Sequence, residues 1–316
     1  FRSRWSTEVW GGGGGGVAAS VNCAAAAVYS GQAQCVVVYR GLSENTDGRR
    51  AFNKGYISPL YTAHGAMAPA QICALRTQRM LEVDGVPPSA LEAVALAGYH
   101  HAQTNPAAVA HGHPLDHELY QGSRWISEPL RLYDCSREND GAAAILGVAA
   151  DRAADYAGTP AHILSGVQGA ASGWTESVEN EEHYTSAGFH PRLVQRLWDG
   201  AGITAGDVDV TQVYENFTGP AVAALIDHGL CPPGPASGDV LTVDNLTLPG
   251  GTLPINTAGG NIAEGFVHGI GLVVEAVRQI RGGSPNPVTG ADVSLLIGGP
   301  MAPLVSSTVF GSPATV

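Results

Sequence analysis

A glycine-rich loop that runs into an apolar helical pattern and then into an apolar strand occurs twice in this chain, at residues 11–39 and again at 265–298. That echo constrains the fold more than any other feature, because it marks a duplicated α/β unit whose loop-to-helix junctions meet at one site. In the first copy, Gly11 to Gly16 lead into an Ala-rich helical run, Val17 to Tyr29, which ends at Ser30-Gly31. Cys35 to Tyr39 then reads as a buried strand. In the second copy, Gly265, Gly269 and Gly271 flank Phe266 and His268, so the backbone can turn sharply and present both rings at the mouth of a helix. From Ile270 the apolar residues Val273, Val274, Val277 and Ile280 recur at helical spacing, with Glu275, Arg278 and Arg281 on the other face. A helix N-terminus offers free N–H groups and a positive dipole end, which suit an anion or a developing oxyanion. An ordinary Gly-rich turn entering a core helix would give the same pattern.

Composition narrows the function classes. The 316 residues are 44% hydrophobic and 14% charged, the balance of a compact chain with ample core. A net charge of −12 with scattered Lys and Arg argues against nucleic acid and against an anionic membrane surface. No apolar run reaches membrane-spanning length and no signal peptide is evident, so the expectation is a cytoplasmic protein without a membrane role. The chain begins at Phe1 rather than Met, which reads as a start in mid-protein. Five cysteines, widely spaced and without a C-x-x-C pair, favour neither a disulfide framework nor a thiolate zinc site. His111, His113 and His117 have a spacing that could ligate zinc, but Gly112 and Pro114 make a surface loop the better reading, and no metal is expected. The six glycines match G-x-G-x-x-G trivially, and no Lys-Ser/Thr completes a P-loop.

Between the two copies, Gln71 to Glu82 and Ser89 to Gln103 read as helices, and Trp125 to Tyr133 as an extended segment. Asp140 to Val148 and Ala161 to Val167 read as strands, the first a core strand, and Arg192 to Gly200 as a short amphipathic helix. Asp207 to Val213 alternates as a strand and runs straight into Tyr214-Glu-Asn-Phe217, before a helix from Thr218 to His228. Tyr214 is thus at a strand-to-helix junction, the usual place for functional groups in an open α/β sheet.

The blocks Trp125-Ile-Ser-Glu-Pro-Leu-Arg-Leu-Tyr-Asp-Cys135, Asp140-Gly-Ala-Ala-Ala144, Tyr214-Glu-Asn-Phe-Thr218, Asn256-Thr-Ala-Gly-Gly260 and Glu275-Ala-Val-Arg-Gln-Ile-Arg-Gly282 resemble the thiolase superfamily. Their order and spacing are most similar to its sterol-carrier or lipid-transfer-protein-like branch, and within it to the thiolase-like aldolases of bacterial steroid side-chain degradation. The resemblance implies an α/β thiolase fold of five α-β-α-β-α layers, built from two duplicated halves with an inserted loop domain. It divides the chain into a partial first half at residues 1–43 and 129–157, a loop domain at 44–128 and a second half at 158–316, and it puts the first elements of the first half outside this numbering.

The resemblance also carries over the family's catalytic columns. The nucleophilic Cys column falls on Gly14, with Cys23 well inside the following helix; the Asn or His of the N-E-A-F block falls on Tyr214; the His of the G-H-P block falls on Phe266; and the second Cys falls on Leu296. Glycine, phenylalanine and leucine cannot run thiolysis, which needs a nucleophile poised beside a base. What remains is backbone: Gly14 and Gly298 are expected to offer N–H groups to a thioester oxygen, a geometry that stabilises an enolate. Tyr214 and His268 are the expected proton carriers, since imidazole titrates near neutral pH. Phe266, Asn216, Glu264 and Leu296 are expected in the pocket, with Glu215 a structural carboxylate.

The implied activity is retro-aldol cleavage of a bulky β-hydroxyacyl-CoA of steroid side-chain type, giving a ketone and a short acyl-CoA. No cofactor is implied beyond the CoA thioester as substrate. One alternative is a non-catalytic subunit that binds an acyl-CoA or lipid. Another is a thiolase using a displaced cysteine such as Cys231. The implied partners are a second copy of the chain in a homodimer and a small OB-fold, zinc-ribbon protein.

Overall fold

In the computed structural model, residues 5–7, 9, 13–47, 59–169, 187–302 and 304–316 are described. The first principal elements are α1 (Gly16–Tyr29), β1 (Cys35–Ser43), α2 (Glu44–Asp47), α3 (Pro69–Glu82), α4 (Ser89–Ala102), α5 (His117–Gln121), β2 (Asp140–Val148) and β3 (His162–Gly169). They are followed by α6 (Pro191–Ala201), β4 (Val210–Val213), α7 (Thr218–Asp227), α8 (Gly260–Ala263), α9 (Ile270–Arg281), β5 (Val293–Gly298) and β6 (Val305–Gly311).

The echo in the sequence becomes a structural pair. Helices α1 and α9 share the central layer, each packing both on the two-stranded ribbon β1–β2 and on the four-stranded sheet. That sheet has the order β3-β6-β5-β4, with β4 and β5 parallel and the other neighbours antiparallel. Helix α6 lies against β3 and β6, and α7 against β4. Alternation along β5 explains how one strand serves two cores: Leu295 and Ile297 join the outer cluster with Leu197, Val222 and Leu225, whereas Leu296 joins the central cluster with Val273 and Phe310. All three are fully buried, and such burial is worth roughly 1.5–3 kcal/mol for each large aliphatic side chain.

Helices α3 and α4 share the outer core with the four-stranded sheet and α7. Met80 of α3 and Leu91 and Val94 of α4 belong to the same apolar cluster as Leu225 and Leu295, and both helices pack on α7. Gly98 lets α4 approach α8 closely, since a Cβ there would lie 3.1 Å from the Gly259 carbonyl oxygen.

Four sequence expectations change. Strand β1 runs to Ser43, beyond Tyr39, and it alternates rather than being buried: Val36 and Val38 face the central helices, while Val37 and Tyr39 are 54% and 77% exposed. Its partner β2, expected as a core strand, is exposed or half-buried along its whole length, because it pairs with β1 alone among the described residues. The described residues form α-β-α-β layers of the expected fold. The strand expected from Asp207 begins at Val210: the Asp207 carboxylate accepts hydrogen bonds of 2.7 Å from both the backbone N–H and the hydroxyl of Thr204, which winds Ala205–Asp207 into a 3-10 turn.

Candidate active site

The two glycine-rich junctions meet on one side chain. Tyr214 leaves the end of β4, its N–H donating to the carbonyl of Ile297 at 2.9 Å, and its ring lies between the entries to α1 and α9. A Cβ on Gly14 would come within 2.6 Å of one edge of the ring, and a Cβ on Gly269 within 2.6 Å of the other. Neither position can hold a side chain without moving the tyrosine. Gly269 also has φ of +77°, a conformation that L side chains rarely adopt. Gly298, at the end of β5, abuts the same place, since a Cβ there would lie 3.0 Å from the Gly14 carbonyl oxygen. Gly14, Gly298 and Tyr214 thus form one cluster at the N-terminal end of α1, where amide dipoles favour negative charge.

Tyr214 is 3% exposed, and burial followed by the nearby carboxylates of Glu215 and Glu44 pushes its phenol well above the usual range, with Arg40 opposing. At neutral pH it is a neutral hydrogen-bond donor, not a phenolate. Its ring is 6.3 Å from that of Phe266 in a T-shaped contact, and Phe266 is in turn 5.2 Å from the imidazole of His268. Phe266 is half-buried; its N–H donates to Asn139 Oδ1 at 2.8 Å, and Glu138 bridges to it, so the segment after Cys135 forms the adjoining wall.

His268 is 7% exposed with φ of +47°. Arg40 approaches its Nδ1 at 2.7 Å, and because a guanidinium only donates, Nδ1 accepts. The neutral ring then carries its proton on Nε2, 3.4 Å from Glu44 Oε1. Burial, and next the Arg40 charge, push the imidazole down to about 4, so it is neutral at pH 7. Arg40 and Glu44, which the sequence reading missed, flank the end of β1, the same strand-to-helix position that drew attention to Tyr214. Asp140 fixes that turn by accepting from the N–H groups of Asn45 and Thr46 at 2.8 and 3.1 Å.

The other expected pocket residues are each held by the structure around them. Leu296 is fully buried inside the central apolar layer, where strand alternation directs it, rather than lining open space. Asn216 uses its Oδ1 to accept from the N–H of Phe217 at 3.1 Å, shaping the entry to α7. The Glu264 carboxyl is turned toward Asn105 and the first turn of α9, and burial, with Glu275 adding to it, raises it to about 7. Glu215 is fully buried beneath α8, accepts from the N–H of Ile262 at 3.4 Å, and is pushed up to about 8 by burial. Asp134 is closed off by Tyr120 at 2.8 Å, Thr218 at 2.7 Å and the N–H of Arg131 at 2.7 Å.

The cysteines do not gather here as thiolates. Cys231 is 4% exposed in the outer core, and burial raises its thiol to about 12. Cys73, also buried, is raised to about 12 in the same way. Cys23 lies on the α1 face toward Gln168, beside a cleft of about 290 Å³ that Arg196 and Leu193 also line. Among the described residues no group of three or more His, Cys, Asp or Glu side chains could hold a metal ion; His117 instead meets Glu92 at 2.6 Å. No helix among them is long and apolar enough to cross a membrane.

Comparison with known proteins agrees with this architecture. The family described as thiolase C-terminal domain-like matches residues 170–310. The 17-hydroxy-3-oxo-4-pregnene-20-carboxyl-CoA lyase of Mycobacterium tuberculosis is 35% identical over 90% of this chain and 76% of its own length. The steroid side-chain-cleaving aldolase of Thermomonospora curvata is 34% identical, again over 90% and 76%. The solved structure of an Ltp2-ChsH2(DUF35) aldolase superposes with a TM-score of 0.86 at 32% identity, covering 95% of this chain and 78% of that one. The chain belongs to the thiolase superfamily, within its group of steroid side-chain-cleaving aldolases.

Proposed function

We propose that the protein cleaves the carbon–carbon bond of a bulky β-hydroxyacyl-CoA by retro-aldol chemistry, with a steroid side-chain thioester as the substrate class. The observation that carries this reading is the position of Tyr214, a neutral phenol held between Gly14 and Gly269 beside Gly298. In that arrangement the thioester oxygen is met by backbone N–H groups of the glycine cluster as the enolate develops, which stabilises charge without a covalent nucleophile. Tyr214 then supplies a proton rather than removing one, because its phenol is far from ionising at pH 7.

The named relatives support the substrate class, and the name of the similar Ltp2-ChsH2(DUF35) structure supports a partner protein for this chain. In finer terms, the assembly is a homodimer carrying a small OB-fold, zinc-ribbon partner, with CoA thioester bound and no further cofactor. Incubation of the full chain and its partner with 17-hydroxy-3-oxo-4-pregnene-20-carboxyl-CoA is expected to release a 17-ketosteroid and a short acyl-CoA, followed by chromatography. Absence of both products with the partner present contradicts the reading.

A further inference from the structure

Helix α3 carries a charge on its buried face. Cys73, Arg76, Thr77 and Met80 recur at helical spacing and all are buried, so an arginine stands in the stripe that packs against Phe217, Gly219 and the outer core. Arg76 is 8% exposed, and arginine is almost never buried to this degree unless its guanidinium is paired or hydrogen-bonded. One of its bonds crosses 225 positions: Nη1 donates to the backbone carbonyl of Met301 at 3.0 Å. Met301 belongs to the connection from β5 to β6, where the turn Gly299–Ala302 closes with a 2.9 Å bond from the Ala302 N–H to the Gly299 carbonyl. Met301 has φ of +62°, a left-handed conformation that a residue with a side chain keeps only where its surroundings hold it. Both of its backbone polar groups are held from outside the turn, the N–H by the Ala187 carbonyl at 2.5 Å and the carbonyl by Arg76. The turn in turn rests on the entry to α1. A Cβ on Gly299 would lie 2.5 Å from the Cα of Gly15, and a Cβ on Gly15 would collide with the carbonyl oxygen of Leu304. Ser306 adds a bond of 3.0 Å from its hydroxyl to the Gly15 carbonyl. Backbone thus meets backbone here, and a shift of the turn passes to Gly15 and its neighbours Gly14 and Gly298 without a side chain to absorb it.

We propose that Arg76 is a positioning residue for the glycine cluster. By holding the Met301 carbonyl it keeps the Gly299–Ala302 turn seated on Gly15, and so fixes the direction of the backbone N–H groups that meet the thioester oxygen. The inference rests on the aldolase reading above, in which Gly14 and Gly298 supply those donors. Arg76 acts through the turn and needs no contact with substrate. Oxyanion donors lose most of their effect when misdirected by a fraction of an ångström, which is why a clamp on a strained turn bears on turnover. A lysine is a poor replacement, because its flexible ammonium lacks the rigid planar fork that sets the angle of approach.

The test reads donor geometry and turnover on the same preparations of the full chain with its partner. Propionyl-CoA labelled with carbon-13 at the carbonyl, the short thioester that retro-aldol cleavage leaves, is bound to the protein and its carbonyl stretch is followed by isotope-edited infrared spectroscopy. Steady-state kinetics are measured on 17-hydroxy-3-oxo-4-pregnene-20-carboxyl-CoA. In the parent the bound stretch is expected at a lower frequency than in free thioester, because N–H donors polarise the carbonyl. Arg76→Met, similar in length and apolar, is expected to return the stretch toward the free value and to lower kcat by about 10–100-fold, with KM within about threefold. Arg76→Lys is expected to lie between Arg76→Met and the parent in both readouts. The stretch is reported only by protein that binds the thioester, so partial unfolding of a variant does not distort it. A parental stretch or a parental kcat in Arg76→Met overturns the inference and leaves the aldolase reading intact. A parent protein that releases no ketosteroid overturns both.

Discussion

The two glycine-rich junctions have the same plan and bring different chemistry to Tyr214. At the entry to α1, Gly14 is pressed against the ring and offers only backbone; at the entry to α9, Gly269 is pressed against the opposite edge, but the loop before it also delivers Phe266 and His268. A close approach on both sides leaves no room for a nucleophile's side chain at Gly14. Duplication thus supplies two helix N-termini, and divergence leaves backbone alone against the ring at one and adds the side chains of Phe266 and His268 at the other.

The comparison breaks most sharply by adding one methyl group to either junction. Gly14→Ala is expected to displace the Tyr214 ring and to lower kcat by about 100-fold or more, with a smaller loss of stability, because Gly14 sits in the 3-10 turn Gly13–Gly15 without a positive φ. Gly269→Ala meets both the ring and an unfavourable φ of +77°, so it is expected to lower unfolding free energy by about 2–4 kcal/mol as well, read from urea denaturation. If Gly14→Ala proves the more destabilising and the less damaging to turnover, the division of roles between the junctions is wrong.

A weaker effect separates the junctions by pH. His268 belongs to the second junction alone and is held neutral, its imidazole depressed to about 4, as are buried His228 and His101 elsewhere. The folded values are below the ordinary 6.5, so the folded state binds fewer protons than the unfolded chain between these limits. Stability is then fully present above about pH 6.5 and is lost as pH falls toward 4, by up to a few kcal/mol. Urea titrations at pH 7 and 4.5 measure this slope, and His268→Gln is expected to reduce it, His228 and His101 keeping the rest, while Gly14→Ala leaves it unchanged.

The smallest effect concerns the cysteines. Cys23, on α1 but facing Gln168 rather than Tyr214, is expected to tolerate replacement by Ser with kcat within about threefold of the parent. A loss beyond that would restore a thiolase-like role to the first junction.

Much of this was legible in the chain itself. Helical periodicity placed α1 and α9, glycine spacing marked the turn around Gly265, Gly269 and Gly271, and the family resemblance pointed to Gly14 and Gly298. Tyr214 was identified by its place between an alternating strand and a helix. Glu44 and Arg40 were missed because β1 was taken to end at Tyr39, which left Arg40 beyond the strand and Glu44 at the start of the loop domain. His268, which both of them approach, lies 228 residues beyond Arg40, and no local pattern encodes a pair at that separation. The ribbon was misjudged for a related reason: an apolar run such as Cys35 to Tyr39 does not say how many strands will cover it. Leu296 was placed in the pocket by its column, whereas the alternation of β5 turns it into the core.

The most direct measurement is product release by the parent chain and by Tyr214→Phe, each with the partner, from 17-hydroxy-3-oxo-4-pregnene-20-carboxyl-CoA. The expected result is 17-ketosteroid from the parent and a kcat about 10²–10⁴-fold lower for Tyr214→Phe, with thioester binding preserved. Equal release by the two proteins would contradict a mechanism centred on the phenol that both junctions enclose.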